Sequence, residues 1–309
     1  MKKLTVGLAL GACILFATAP AANATLLHLW DFDAGDELAD SVGSLNLNTA
    51  PGEGNVGGVM GTAADISYEP GYGGIGQAYR PYYVDASQSS TAGAGLTGSG
   101  FASPNQFTIE AIVKADAKTS GSAVNYIFQT RPGSDRGYYL IQDEDGIGGS
   151  SVGGLGTIVG NNFGDVGLGP EYDSDGTWIY IAAVIDLVYG PGQAALDIYA
   201  ANLSAGETMP LLVLNTKLFN TADPSALAGV TGIFGIGNFA IDRNGDSIAE
   251  ASQEWFQGAI DYVAIYDGLL DAGELSRNLA DRISNVPEPS SLALVLLAGL
   301  ALVRRRHAG

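Results

Sequence analysis

Apolar residues in this chain come in runs too short and too strictly alternating for helices. The stretches LLHLWDF, QFTIEAIVKAD, NYIFQT, GYYLIQ, WIYIAAVIDL, AALDIYA, LLVLNTKL and WFQGAIDYVAIY are rich in Ile, Val, Tyr and Phe, residues that suit a pleated, half-buried surface. Glycine punctuates them, with 44 Gly and 12 Pro among 309 residues. Ile109, Ala111 and Val113 alternate with Thr108, Glu110 and Ile112, and Ile260, Tyr262 and Ala264 alternate with Asp261, Val263 and Ile265. Both patterns give a strand at least one apolar face, suited to packing sheet on sheet. Helical periodicity is confined to DAGELSRNLADRI, where Asp271 caps the N-terminus and Glu274, three residues on, completes a capping box. Many strands without intervening helices predict an all-β fold, an antiparallel sandwich or jelly roll. Gly71–Gly76 and Gly146–Gly156 read as long loops, 145–176 as a loop or disordered excursion, and Trp30, Trp178 and Trp255 as packing residues within or beside strands.

The two ends differ from this body. Met1-Lys2-Lys3 precedes an apolar stretch from Leu4 to Ala17, and Ala22-Asn23-Ala24 offers the small-x-small pattern at which signal peptidase cuts, so residues 1–24 read as a secretory signal. At the other end, Val286-Pro287-Glu288-Pro289 is stiff and extended because proline fixes φ and denies a helix. An apolar segment, 290–303, follows, and then Arg304, Arg305 and Arg306, which would be held on the cytoplasmic side while the body stays outside.

Between these ends, residues 25–284 carry 9 of the 14 basic and 32 of the 33 acidic side chains, a net of −23. Such a surface repels phosphate backbones and anionic headgroups, which excludes nucleic acid as a partner, and it attracts divalent cations. Cys13 lies in the signal and His307 in the tail, so the body has no thiol and one histidine, His28. That rules out a disulfide framework, thiol nucleophiles and zinc or copper sites built on His and Cys. A metal here would be a hard cation with oxygen ligands. His28, in the alternating TLLHLWDFD, reads as a structural strand residue.

Four segments carry a family resemblance. LWDFDAGDELADSVGSLNLN, with its Asp-Ser-x-Gly turn, resembles the opening of laminin-G-like, concanavalin A-like jelly-roll domains of bacterial surface proteins. FTIEAIVKAD resembles their first long inner strand, and GTWIYIAAVIDL a strand opened by tryptophan and ended by aspartate. WFQGAIDYVAIYDGLLDAGEL resembles their closing strand and short helix. The resemblance runs from about residue 25 to 283 and implies a two-sheet jelly roll with one short helix near its end. It also implies a structural calcium near the first and last strands, which points to Asp31, Asp33 and Asp261. The tail resembles the PEP-CTERM sorting domain, with its Pro-Glu-Pro motif, apolar helix and arginine cluster. This implies transient inner-membrane anchoring, recognition by an exosortase-type protease, loss of the tail, and delivery to the surface or extracellular matrix of a Gram-negative bacterium. The resulting organisation is a signal peptide (1–24), a jelly-roll domain (25–284) and a sorting tail (285–309).

Concanavalin A-like folds include glycan hydrolases, which need paired acids on one strand face. Glu-x-Asp-x-x-Glu does not occur, and the adjacent Asp143, Glu144 and Asp145 would point to alternating faces before a glycine-rich turn. The sharpest cation motif is DRNGDSIAE, where Asp242, Asn244, Asp246, the carbonyl of Ile248 and Glu250 occupy alternate positions of a calcium-type loop. It departs from an EF-hand at Ser247 and Gln253, and the same stretch also reads as a solvated acidic turn. Loop tyrosines Tyr72, Tyr79, Tyr82 and Tyr83 are the candidate ligand contacts. Two classes of function follow. The first is a noncatalytic surface or matrix protein binding polysaccharide or a matrix protein; the second is a divergent glycan-degrading or modifying enzyme on the same fold.

Overall fold

The computed structural model of the chain describes residues 24–52, 63–83, 93–116, 125–131, 138–143, 154–159, 166–167, 172, 176–191, 193–216, 231–241, 250–253 and 255–284. Among these, eighteen strands follow one another: β1 Thr25–Trp30, β2 Asn48–Gly52, β3 Ser67–Pro70, β4 Gln77–Arg80, β5 Tyr82–Tyr83, β6 Gly93–Ala102, β7 Gln106–Ala115, β8 Asn125–Arg131 and β9 Tyr138–Asp143. Then come β10 Gly154–Val159, β11 Val166–Gly167, β12 Thr177–Gly190, β13 Gln193–Asn202, β14 Leu211–Thr216, β15 Thr231–Ile236, β16 Phe239–Ile241, β17 Glu250–Gln253 and β18 Gly258–Asp267. One helix, α1 Ala272–Ile283, closes the described chain.

The strands form two sheets. One runs β14-β13-β12-β7-β18-β4-β3, with β1 also pairing β18; the other runs β11-β10-β9-β8-β15-β6-β2-β17-β16, with β5 on β6. Pairing is antiparallel except for the contact of β17 with β2. This is the expected all-β jelly-roll sandwich of two antiparallel sheets. Its main core lies between the sheets and includes Trp30, Phe107, Ile109, Val113, Phe128, Ile181, Leu196, Phe234 and Ile265. Trp30, Phe128 and Phe234 lie with ring centroids 5.2 to 6.3 Å apart.

The outer face of the eight-stranded sheet is also covered. Leu29, Ile112, Tyr180, Ala182, Tyr262, Ala264 and Leu270 pack with Leu275 and Leu279 of α1 in a second apolar cluster. The helix starts as its sequence dictates: Asp271 Oδ1 accepts from Glu274 N at 2.8 Å, and Glu274 Oε2 accepts from Asp271 N at 2.9 Å.

Two expectations change. The alternation read through Ile260, Tyr262 and Ala264 does not hold, because β18 has a register shift between Ile260 and Tyr262. Asp261 is the extra residue of a β-bulge, so Ile260, Val263 and Ile265 enter the main core while Tyr262 and Ala264 join the outer cluster. The glycine-rich stretch around 145–176 is not all loop, since β10 and β11 extend the ten-stranded sheet there. Among the described residues no helix is long and apolar enough to cross a membrane; residues 1–23 of the expected signal (1–24) and the whole of the expected tail (285–309) lie outside them.

Candidate functional site

The bulge in β18 aims the Asp261 carboxyl at the loop between β3 and β4. Asp261 Oδ1 accepts from Tyr72 N at 3.3 Å. The loop can lie this close only because it lacks side chains at its two ends: a Cβ at Gly71 would collide with Asp261 Oδ1, and one at Gly76 with Asp33 Oδ1. Gly76 has φ +61°, which suits glycine independently. Burial pushes the Asp261 carboxyl up to about 7, with the charges of Asp33 and Asp31 adding to the rise against the Tyr72 N–H and Arg282.

Holding the loop in place also positions Tyr72. Its ring meets Trp178, the second residue of β12, edge to face at 6.0 Å, and its hydroxyl donates to Leu203 O at 3.3 Å. Trp178 pairs across the ladder with Lys114 of β7, whose Nζ stands 5.8 Å from the indole centroid. Lys114 Nζ in turn donates to Glu69 Oε1 at 2.8 Å, and Arg80 Nε donates to Glu69 Oε2 at 2.9 Å. Arg80 closes a two-pronged pair on Asp116, Nη1 to Oδ2 at 2.6 Å and Nη2 to Oδ1 at 3.1 Å. The result is a continuous strip on the outer face, from an aromatic pair to an ion quartet, in which every side chain is half-buried. Burial raises and the Lys114 and Arg80 contacts lower the Glu69 pKa, for a net decrease, so Glu69 stays ionised at neutral pH.

A second polar centre holds the entrance to the fold. Asp40 accepts from the backbone N–H groups of Leu29, Gly43 and Leu45 at 2.8 to 3.0 Å, and its Oδ2 lies 2.7 Å from His28 Nδ1. His28 stacks on Trp30 at 5.6 Å. The Asp-Ser-x-Gly turn therefore wraps the first strand around a buried carboxylate, and His28 serves structure.

Of the candidate tyrosines, Tyr72 sits on the strip. Tyr79 is a correction: it is 0% exposed, packed between Phe32 and Tyr68, and cannot meet a ligand. Its place on β4 opposite Ile260 turns it into the core. Tyr82 and Tyr83 pair with β6 in the other sheet and are not brought to Tyr72. Lys114, Glu69, Arg80 and Asp116 are the residues sequence reasoning missed, and Trp178 is one it reads first as a packing residue. The only signal for them is strand parity, which puts Trp178 opposite in facing to Ile179 and Lys114 opposite to Val113.

Among carboxyls, Glu110 is fully buried and pushed up to about 7 by that burial, against hydrogen bonds from Asn278 and Tyr262 and the charge of Arg282. It faces Tyr262 Oη at 3.4 Å and Asn278 Nδ2 at 2.9 Å beneath α1, out of reach of a polymer. Asp143 ends β9, and Glu144 and Asp145 lie outside the described residues. So do residues 242–249 of the calcium-type loop, while Glu250 opens β17. Asp31, Asp33 and Asp261 supply oxygen donors of the kind a hard cation takes, and the charges of Asp31 and Asp33 both reach Asp261. Among the described residues no group of three or more His, Cys, Asp or Glu side chains is gathered as a metal site would require. Asp31 instead accepts from Ser41 Oγ at 3.2 Å.

No family model matches the chain, and no curated protein matches it. Among solved structures, domain 4 of AbnA, a GH43 extracellular arabinanase from Geobacillus stearothermophilus in complex with arabinotriose, is similar at 20% identity and a TM-score of 0.49, covering 83% of this chain and 98% of that one. The CBM40 of Ruminococcus gnavus IT-sialidase, bound to alpha2,3 sialyllactose, is similar at 16% identity and a TM-score of 0.39, over 65% of this chain and 97% of that one. A SAP-like pentraxin from Limulus polyphemus matches at 16% identity and a TM-score of 0.39, over 74% and 80%. At these identities and TM-scores nothing about ligand or chemistry passes from them to this chain.

Proposed function

We propose that the chain is an exported, noncatalytic protein of the cell surface or extracellular matrix, whose jelly roll binds glycan along the strip from Tyr72 and Trp178 to Arg80 and Asp116. The observation that carries this reading is the continuity of that strip. Half-exposed aromatic rings offer an apolar surface to the C–H face of a sugar, and polar groups beside them are spaced to exchange hydrogen bonds with its hydroxyls. The absence of catalysis is supported by where the two carboxyls of raised pKa among the described residues stand: Glu110 is sealed under α1, and Asp261 is spent on holding the 71–76 loop. In this reading the tail of Val286, Pro287, Glu288, Pro289, the apolar run and Arg304, Arg305 and Arg306 directs sorting by an exosortase-type protease. Calcium, in this reading, is held by the 242–250 stretch, with Asp31, Asp33 and Asp261 as the second candidate.

The test uses the exported protein in a polysaccharide panel, scoring retention and chain scission together. Retention with no reducing ends above background is expected. Reducing-end release that vanishes on substituting a single carboxylate would make the protein an enzyme.

A further inference from the structure

The strip has a charge balance that narrows its ligand, on the premise that the glycan reading above holds. Its two cations are each committed to carboxylates. Lys114 Nζ donates to Glu69 at 2.8 Å, while Arg80 spends Nε on Glu69 at 2.9 Å and both terminal nitrogens on Asp116 at 2.6 and 3.1 Å. Two positive and two negative groups leave no net charge along the strip, within a chain of net charge −19. We propose that this surface takes neutral glycans and turns away those bearing uronate or other anionic groups.

An anionic sugar would have to break one of these pairs, leave a half-buried carboxylate without its partner, and approach through the negative field of the whole body. A neutral sugar has neither cost. Its hydroxyls both donate and accept, so they add to carboxylate oxygens and ammonium hydrogens without displacing the existing pairs, while its apolar face lies against Trp178 and Tyr72. Discrimination thus comes from the penalty placed on the wrong ligand as much as from contacts to the right one. Because no counterion is released on binding a neutral chain, affinity for it changes little with salt.

The experiment measures retention of the intact exported protein on a neutral β-glucan, an arabinan and a mannan, and on polygalacturonate and alginate, all in chelator so that a bridging cation does not confuse the anionic arms. Retention on at least one neutral polymer, insensitive to salt and weakened about tenfold or more by Trp178→Ala in protein that still melts cooperatively above the assay temperature, is expected. Asp116→Asn frees the Arg80 fork and is expected to create retention on polygalacturonate at low salt that the parent protein lacks. Retention of the parent protein on the polyuronates alone overturns the neutral selectivity and leaves the glycan reading standing. Neutral retention untouched by Trp178→Ala places the site elsewhere and overturns the assignment to this strip. Retention on no polymer of either kind overturns the glycan reading itself.

Discussion

Asn278 on α1 donates its side-chain amide to Glu110 Oε1 on β7 at 2.9 Å, and so ties the last helix to the outer face of the eight-stranded sheet. The acid at the centre of this contact is 0% exposed and is surrounded by Tyr180, Tyr262 and Tyr266 on the sheet and Arg282 on the helix. Arg282 lies over the Tyr262 ring at 4.6 Å.

Stability is therefore expected to fall as pH rises from about 4.5 to about 7. The sign follows from the folded pKa of Glu110 being above its unfolded value: between the two, the folded state holds the proton more tightly, and ionisation above about 7 places an incompletely compensated charge under the helix. Asp261, raised to about 7, acts in the same direction. Glu110→Gln keeps the shape and an acceptor for Asn278 without the charge. Thermal melts of both proteins across this range should show the variant with the flatter profile and the higher melting temperature at pH 8. Parallel profiles would contradict this account.

At the opposite pole, Asp40 has its pKa lowered: burial raises it, but the N–H groups of Leu29, Gly43 and Leu45 together with His28 outweigh that. Its contribution is present above the unfolded carboxylate range and is lost on acidification through the lower folded value. Asp40→Ala orphans at least three buried or part-buried backbone donors. A cost of about 2–4 kcal/mol, and a melting temperature lower by roughly 5–10 °C, is expected at pH 7. A loss of under a degree would show that water replaces the carboxylate.

How legible these features were depended on the range of the interactions behind them. The capping box of Asp271 and Glu274 is a matter of three residues and was read directly. The strand β6, GAGLTGSGFA, was missed, because its glycines look like turn punctuation. They are there to make room: a Cβ at Gly95 would lie against the Asn238 amide and 2.9 Å from the Trp255 ring, partners some 140 to 160 residues away in sequence. The bulge at Asp261 shows the same limit, since one inserted residue reverses the facing of everything before it and leaves no local mark. The strip was only half visible for this reason. Tyr72 stood out in a glycine loop, but the cross-strand pairing of Trp178 with Lys114 belongs to the register of β7 and β12.

Sorting makes a prediction about mass. Val286-Pro287-Glu288-Pro289 follows α1, which ends at Ile283, and is the stretch the sorting reading gives to the protease. Protein collected from the cell surface or matrix should therefore have an intact mass lacking Arg304, Arg305 and Arg306. Recovery of surface protein with all three arginines would defeat the sorting reading while leaving the jelly roll and its strip unaffected.

Calcium gives the last prediction. Residues 25–284 carry 32 acidic side chains and no disulfide, so like-charge repulsion acts on a fold that nothing covalent restrains. A cation bound by the folded form alone stabilises it by RT ln(1 + [L]/Kd), roughly 2.7 kcal/mol at a hundredfold excess over Kd, which for a domain of this size is a rise in melting temperature of roughly 5–10 °C. With the loop as the site, Asp242→Ala and Asp246→Ala should each remove most of that rise and leave the melting temperature in chelator almost unchanged. Asp33→Asn, which alters the acid cluster around Asp261, should keep the rise. A calcium-dependent rise that survives both loop substitutions but disappears with Asp33→Asn would move the ion to the cluster and show that its carboxyls rearrange on binding. Equal melting temperatures of the parent protein in millimolar calcium and in chelator would remove calcium from the account.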